Sequence, residues 1–280
     1  MKIEHFIAST AAGKCRISYT RWGEADAERT VLCLHGLTRN GRDFDFLAKQ
    51  LATRWQVVCP DMPGRGSSES LDHAEDYQYP TYLQICTALI EHLGLNSVDW
   101  VGTSMGGLLG MMLAAQDKSP IERLILNDIG AFIPGRALRF IGEYVGKTGP
   151  FTTMADLEKY LRLIHSGFGN LSDDQWQHLA QHSHWIDAQN RFWLAYDPKI
   201  AHPFRDTEIG DVDLWDIWGQ VKCPTLLIRG ERSEILPASI AKEMVSRPQT
   251  EMITLPNVGH APSLMDEEQI KLVENWLLRT

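Results

Sequence analysis

The sequence predicts an α/β fold in which helices cover both faces of a mostly parallel sheet. Short apolar runs such as Thr30–Leu34 are typical of strands that are buried on both faces. Helical patterns such as Thr81–Leu93, which ends at Gly94, alternate with these runs along the chain. This alternation is the pattern of a parallel sheet between two layers of helices, and 280 residues suffice for one such domain with an insertion.

The individual elements follow from the same patterns, taken in chain order. Eight strands are predicted, and turn residues near Gly13 make the first two antiparallel: Glu4–Ser9, Lys14–Trp22, Thr30–Leu34, Gln56–Cys59, Val98–Thr103, Arg123–Asn127, Thr225–Arg229 and Glu251–Leu255. Helices are predicted between and after these strands at Asp43–Leu51, Thr81–Leu93, Leu108–Ala115, Ala238–Val245 and Glu267–Leu278.

Residues 132–218 interrupt the alternation of strands and helices. Helical patterns without strands cover Ala137–Val145, Met154–Ser166, Asp173–Ser183 and Trp185–Ala195, and the segment is rich in large aromatic residues. Because strands resume after it, we interpret it as a helical cap inserted into a core formed by residues 1–131 and 219–280.

Composition excludes several classes of partner and location. The formal net charge of −9 and the lack of a long basic run argue against nucleic acid and anionic membranes as partners. The first twenty residues lack the apolar core of a signal peptide, and no apolar run reaches the ~20 residues that a membrane span needs. Five scattered cysteines fit a reducing compartment, so the prediction is a cytoplasmic protein.

A Gly-x-Ser-x-Gly motif centred on Ser104 lies between a predicted strand and a predicted helix. In this setting the turn is so sharp that Gly102 and Gly106 are needed to avoid collisions, and the serine hydroxyl projects from the turn. The free N–H groups at the start of the following helix favour negative charge at the same place. The motif therefore predicts Ser104 as a catalytic nucleophile.

A serine nucleophile needs a base and donors for the oxyanion that forms at the carbonyl. His260 follows the last predicted strand, at the sheet edge where Ser104 is expected, and Gly259 before it frees the loop. The backbone N–H groups of Met105, after the nucleophile, and of Leu37, in the loop after the third strand, are the expected oxyanion donors.

With these motifs the chain resembles proteins of the α/β-hydrolase fold, in particular capped carboxylesterases and meta-cleavage-product hydrolases. The similarity spans nearly the whole chain and includes the family's Asp-x-x-Gly-x-Gly-x-Ser loop, matched from Asp61 to Ser68. The resemblance implies an eight-stranded sheet, a helical lid and a Ser–acid–His triad. In the family the Asp-x-x-Gly-x-Gly-x-Ser loop has a mainly structural role near the site.

The triad acid departs from the family's common pattern. Ser233 stands where the family usually carries an aspartate after the penultimate strand, and a serine cannot stabilise an imidazolium as a carboxylate does. Asp128, at the end of the preceding predicted strand, is the preferred candidate because some α/β-hydrolases carry the acid there. Glu234, one residue after the usual position, is the alternative.

The predicted activity is hydrolysis of carboxylic esters of small to medium apolar substrates through an acyl-enzyme, without metal or cofactor. Hydrolysis of carbon–carbon bonds in ring-fission products, or of lactones, is the alternative with the same triad, and a ligand-binding sensor is the alternative of another class. Arg39, Trp185 and Trp193 are the expected substrate contacts. His178, His182 and His184 are close in sequence, but no matching carboxylate or cysteine cluster accompanies them, so no metal site is expected. A monomer and a homodimer are both left open.

Overall fold

The first half of the chain builds six strands of the main sheet. In the computed structural model, which describes residues 1–205 and 208–279, these strands are β1 (Lys2–Thr10), β2 (Gly13–Trp22), β3 (Thr30–Leu34), β4 (Gln56–Pro60), β5 (Val98–Thr103) and β6 (Ile121–Asn127). The helices between them are α1 (Asp45–Leu51), α2 (Tyr79–His92) and α3 (Met105–Ala114). These strand and helix bounds agree with the predicted ones to within a few residues.

The segment after β6 is mainly helical but contains two short ladders. Its elements are β7 (Phe132–Ile133), α4 (Gly135–Gly142), α5 (Met154–Ile164), α6 (Asp173–His182), β8 (His184–Ile186), β9 (Phe192–Leu194), β10 (Val212–Asp213) and α7 (Trp215–Gln220). At the base of the segment, β7 pairs with β10 antiparallel, so the chain leaves and re-enters the core side by side.

The prediction of a helix over Trp185–Ala195 is wrong. These residues form the antiparallel hairpin β8–β9 instead. The Asp187 carboxylate accepts hydrogen bonds from the backbone N–H groups of Gln189 and Arg191, and Asn190 adopts φ of 58°. Side chain–backbone bonds of this kind favour a turn over a continuing helix.

The chain then completes the sheet with β11 (Thr225–Gly230), α8 (Ala238–Met244), β12 (Thr250–Leu255) and α9 (Glu267–Leu278). The eight strands lie in the order β1-β2-β4-β3-β5-β6-β11-β12. The β1–β2 and β2–β4 pairs are antiparallel and the remaining pairs are parallel. The fold is therefore the predicted mostly parallel, eight-stranded α/β-hydrolase architecture.

The strands alternate their side chains between two separate cores. In β3, Val31 and Cys33 join the core beneath α1 and α9, whereas Leu32 and Leu34 join the core on the opposite face. Successive residues of a strand point to opposite faces, so a continuous apolar run is what a sheet covered on both faces requires. None of the helices in the described ranges is long and apolar enough to span a membrane.

Candidate active site

Ser104 lies in the sharp turn between β5 and α3. Its backbone adopts φ of 51° and ψ of −114°, a strained conformation for a residue with a side chain. A Cβ atom at Gly106 would lie 2.0 Å from the Leu34 carbonyl oxygen, and one at Gly102 would lie 2.3 Å from the Gly106 carbonyl oxygen. Both glycines are therefore required for the turn to close against β3.

A chain of hydrogen bonds links Ser104 to His260 and Asp128. The His260 Nε2 atom lies 3.0 Å from the Ser104 Oγ atom, and its Nδ1 atom lies 2.7 Å from an Asp128 carboxylate oxygen. Because an ionised carboxylate only accepts, the Nδ1 atom carries the proton and the neutral Nε2 atom can accept the serine proton. Ser104 lies 24 residues before Asp128 and His260 lies 132 residues after it, yet the three side chains meet in one site.

The Asp128 carboxylate is fully buried and accepts two further hydrogen bonds. The Gly230 N–H donates to one oxygen at 2.8 Å, and the Ser233 hydroxyl donates to the other at 2.6 Å. These donors, with the His260 ring, replace the water that a buried carboxylate would otherwise need. Ser233, at the position where the family usually carries the acid, is therefore a partner of the Asp128 carboxylate, a role that the sequence did not suggest.

The structure does not bring Glu234 into this chain of hydrogen bonds. Its side chain is exposed, although the residue directly before it contacts Asp128. The turn after β11 directs Ser233 inward, where its Oγ atom also accepts from the Leu236 N–H. The alternative acid candidate is thus separated from His260 by the direction of its side chain.

The loop that carries His260 is attached to the core through Asn127. Its side-chain amide donates to the Thr103 hydroxyl at 3.0 Å and to the Pro262 carbonyl at 2.8 Å. Thr103 precedes Ser104, and Pro262 follows His260 by two residues. One buried side chain therefore fixes the distance between the two loops that supply Ser104 and His260.

The two expected oxyanion donors are the backbone N–H groups of Met105 and Leu37, and neither has an acceptor within the described part of the chain. The Gly36 carbonyl accepts a 2.7 Å hydrogen bond from His35 Nδ1, while His35 Nε2 accepts from the Met62 N–H at 2.9 Å. Because the C=O and N–H groups of a trans peptide point in opposite directions, this bond turns the Leu37 N–H away from His35.

Burial holds His35 in the neutral form that these two hydrogen bonds require. The pKa of His35 is lowered to about 3, mainly by burial of the ring and further by the nearby charges of Arg65 and Arg39. A neutral ring can donate at Nδ1 and accept at Nε2 at the same time. His35 thus orients the Leu37 backbone through its bonds to Gly36 and Met62.

A buried guanidinium lies next to the two residues whose backbone N–H groups are the expected oxyanion donors. Arg65 is 1% exposed, donates to the Leu37 carbonyl at 2.9 Å, and has a guanidinium nitrogen 3.8 Å from the Met105 sulfur. Its charge is accommodated by the Tyr82 hydroxyl and by the faces of the Tyr77 and Tyr82 rings. The charge favours an oxyanion near these residues, since field effects are strong where water is excluded.

Ser104 and His260 line one pocket. The loop after β3 and the loop after His260 form part of its wall, and the segment after β6 contributes mostly apolar side chains. The lining residues of the inserted segment are Ile141, Tyr144, Val145, Ile164, His165, Phe168 and Leu179. A mostly apolar pocket with a few polar groups suits a small organic substrate.

The three expected substrate contacts occupy different places. Arg39 lines the pocket, but its guanidinium donates two hydrogen bonds to the Asp43 carboxylate, at 2.8 and 2.6 Å. Trp185 and Trp193 stack on each other on the β8–β9 hairpin, and neither lines the pocket of Ser104. Trp185 is 50% exposed, because the short hairpin holds its ring on the outer surface.

The structure places a carboxylate beside the histidines for which the sequence showed none. Asp45 of α1 lies with His178 and His182, with potential ligand atoms within 4.8 Å of one another. The Arg42 guanidinium forms an ion pair with Asp45 and lies 3.3 Å from His182 Nδ1. This arginine supplies positive charge where a metal ion would bind, so the group does not fit a cation site.

Similar proteins share this architecture over nearly their whole length. The chain is 39% identical to the 3-hydroxybutyrate-oligomer hydrolase of Cupriavidus necator, over 95% of this chain and 94% of that protein. Crystal structures of a putative hydrolase from Rickettsia typhi (34% identity, TM-score 0.94) and of an α/β hydrolase from Novosphingobium aromaticivorans (36%, 0.88) each match over 99% of both chains. Residues 31–273 match the model of the alpha/beta hydrolase family. On these grounds the protein belongs to the α/β-hydrolase family.

Proposed function

We propose that this hydrolase is a serine esterase with the triad Ser104, His260 and Asp128. The observation that carries the proposal is the continuous hydrogen-bonded chain from the Ser104 hydroxyl through His260 to the buried Asp128 carboxylate. Its three members have the donor and acceptor roles that a nucleophile, a base and an orienting acid need.

In the proposed reaction, Ser104 attacks the ester carbonyl while His260 Nε2 takes the serine proton. The Leu37 and Met105 N–H groups stabilise the tetrahedral oxyanion, and His260 returns the proton to the departing alcohol. A water molecule, activated by the same imidazole, then hydrolyses the acyl-enzyme and releases the acid. Asp128 stabilises the imidazolium at both stages.

The proposed substrates are esters of short hydroxyacids, in particular linear 3-hydroxybutyrate esters. The support is the 39% identity to a 3-hydroxybutyrate-oligomer hydrolase over nearly the whole chain. The pocket has mostly apolar walls and a few polar groups, the kind of lining that suits a small organic ligand. We further propose that residues 132–218 act as a cap, since they supply one side of this pocket.

The decisive experiment compares wild type with Ser104→Ala on 4-nitrophenyl esters of graded acyl length and on the linear dimer of 3-hydroxybutyrate. We expect turnover by wild type and a loss of about 10⁴-fold or more in kcat for the variant, because removal of the nucleophile leaves only binding and the oxyanion donors. Circular dichroism checks that both proteins are folded.

Two outcomes would contradict this proposal in different ways. If folded wild type hydrolyses none of these esters, ring-fission products with a carbon–carbon bond to cleave and lactones become the substrates to test. If the protein binds the esters tightly without turnover, a ligand-binding role replaces the enzymatic one.

A further inference from the structure

His165 has a buried polar ring that the proposed triad does not use. It follows the last residue of α5, is 7% exposed, and lines the pocket that contains Ser104 and His260. No hydrogen bond joins either ring nitrogen to a residue in the described ranges, and neither nitrogen is among the fully buried side-chain atoms that lack a partner. The ring nitrogens are therefore open to the pocket they line, where a bound molecule can supply the partner that a polar group requires.

The ring of His165 is held rigidly in this position. It stacks on Phe168 with 4.5 Å between the ring centroids and an angle of 19° between the planes, and Phe168 stacks in turn on Trp176. The turn that follows is attached to the triad loop, because the Gly259 N–H donates to the Gly167 carbonyl at 2.8 Å. The orientation of His165 relative to His260 is therefore set by the fold.

A second, small cavity adjoins the pocket at the same place. His165, Arg39 and Tyr144 line both, so they stand on the wall between them. The far side of this inner cavity carries Ser183, whose Oγ atom is buried and has no partner in the described part of the chain. His165 and Ser183, whose side chains have no partner in the described ranges, thus line two adjoining cavities.

The charge at this wall favours a neutral polar group over an anion. Burial, with the charges of Arg39 and His260, holds the pKa of His165 well below its ordinary value, so the ring is neutral near pH 7. The Arg39 guanidinium is already paired with the Asp43 carboxylate. A neutral imidazole offers one N–H donor and one acceptor nitrogen, the combination that a hydroxyl group complements.

We infer that His165 binds the hydroxyl group of a hydroxyacyl substrate and thereby selects hydroxyacid esters over plain alkanoate esters. The inference rests on the proposed esterase function and deepens it. His165 acts in this scheme as a specificity-determining residue and takes no part in proton transfer.

The test uses two substrates that differ in one hydroxyl, ethyl (R)-3-hydroxybutyrate and ethyl butyrate, with acid release followed by titration. Wild type is expected to have the larger kcat/KM for the hydroxy ester. In His165→Phe this preference should fall about tenfold, since one hydrogen bond to the substrate is lost. His165→Gln should restore part of it, because an amide also donates and accepts. The exposed His73 provides a matched control, and His73→Phe should keep the wild-type preference.

Each contrary result has a separate meaning. An equal preference in wild type and His165→Phe, with ester hydrolysis intact, would overturn the inference and leave the esterase proposal standing. If no ester is hydrolysed, the esterase proposal fails, and calorimetry decides the inference. It compares the Kd values of (R)-3-hydroxybutyrate and butyrate for wild type and His165→Phe. A preference for the hydroxyacid that the variant loses supports the inference, and equal affinities overturn it.

Discussion

At the scale of single residues, the position of one carboxylate decides how the site is built. Asp128 is held between β6 and β11 by bonds from the Gly230 N–H and the Ser233 hydroxyl, and it faces His260. Its backbone φ of 57° is strained, and its N–H continues the ladder to the Ile228 carbonyl. The surrounding bonds thus hold an unfavourable conformation that places the carboxylate against the imidazole.

The prediction at this scale concerns which carboxylate is the acid of the proposed triad. We expect Asp128→Asn to reduce kcat by about 10³- to 10⁴-fold, because an amide donates to Nδ1 and stabilises the wrong tautomer of His260. Glu234→Gln, which changes an exposed side chain in the same way, should stay within about twofold of wild type. Steady-state kinetics with a 4-nitrophenyl ester measures both. A larger loss for the Glu234 variant would assign the acid role to that residue instead.

At the scale of elements, the junction of β5 and α3 with β3 depends on residues that lack side chains. The space between the Ser104 turn and the Leu34 carbonyl admits no Cβ atom, and α3 begins at once behind the turn. The helix start therefore stays close to the carboxyl ends of the strands, where its free N–H groups face the pocket. In the hairpin β8–β9, by contrast, side chains decide the local structure. The turn formed by Asp187 and Asn190 ends the strand β8, although the apolar pattern there predicts a helix.

The prediction at this scale is that Gly106→Ala destabilises the fold. The added Cβ atom would lie 2.0 Å from backbone, which cannot move without displacing β3, so we expect the free energy of unfolding to fall by about 3 kcal/mol or more. Gly219→Ala in α7 is the matched control, because nothing lies within 4 Å of its added Cβ. Urea denaturation measures both variants. Equal stability of the two would show that the junction relaxes at little cost.

At the scale of the whole molecule, the site exists because four separate parts of the chain meet at one edge of the sheet. The carboxyl ends of β3, β5 and β6 supply the Leu37, Ser104 and Asp128 positions, and the loop after β12 supplies His260. Residues 132–218 then close one side of the pocket. The buried His35 connects the loop after β3 with the loop after β4 through its bonds to Gly36 and Met62, so its protonation affects the stability of this part of the site.

The prediction at this scale is an acid-dependent loss of stability that involves His35. Its pKa is lowered from 6.5 to about 3 on folding, so below pH 6.5 the unfolded chain binds a proton that the folded protein does not. The stabilisation is present above pH 6.5 and is lost as the pH falls toward 3, by about 1.4 kcal/mol per pH unit for each such proton. His35→Gln keeps a donor and an acceptor but does not titrate, so its stability should fall less steeply.

Urea unfolding of wild type and His35→Gln at pH 7.5 and pH 5.0 tests this. The buried Asp61 has its pKa raised to about 6 by burial, and this opposite contribution cancels in the comparison because both proteins carry it. Parallel stability profiles for the two proteins would contradict the role assigned to His35.

The sequence by itself determined the fold and the positions of the local motifs. The continuous apolar run of β3, the glycines around Ser104 and the pair Gly259-His260 each act through neighbours a few residues away. Steric exclusion and hydrogen bonding at that range depend on residue type alone, so these features are readable without a structure. The Trp185–Ala195 hairpin is the exception, because aromatic spacing suits both a helix and a ladder and the turn at Asp187 decided between them.

Only the tertiary structure decided which side chains meet. The choice between Asp128 and Glu234, the pairing of Asp45 with His178, the outward position of Trp185 and the unpartnered ring of His165 all depend on segments far apart in the chain. Their positions follow from strand order and from the packing of residues 132–218 on the core. Contacts of that kind are set by the summed packing of many residues, and no short stretch of sequence specifies them.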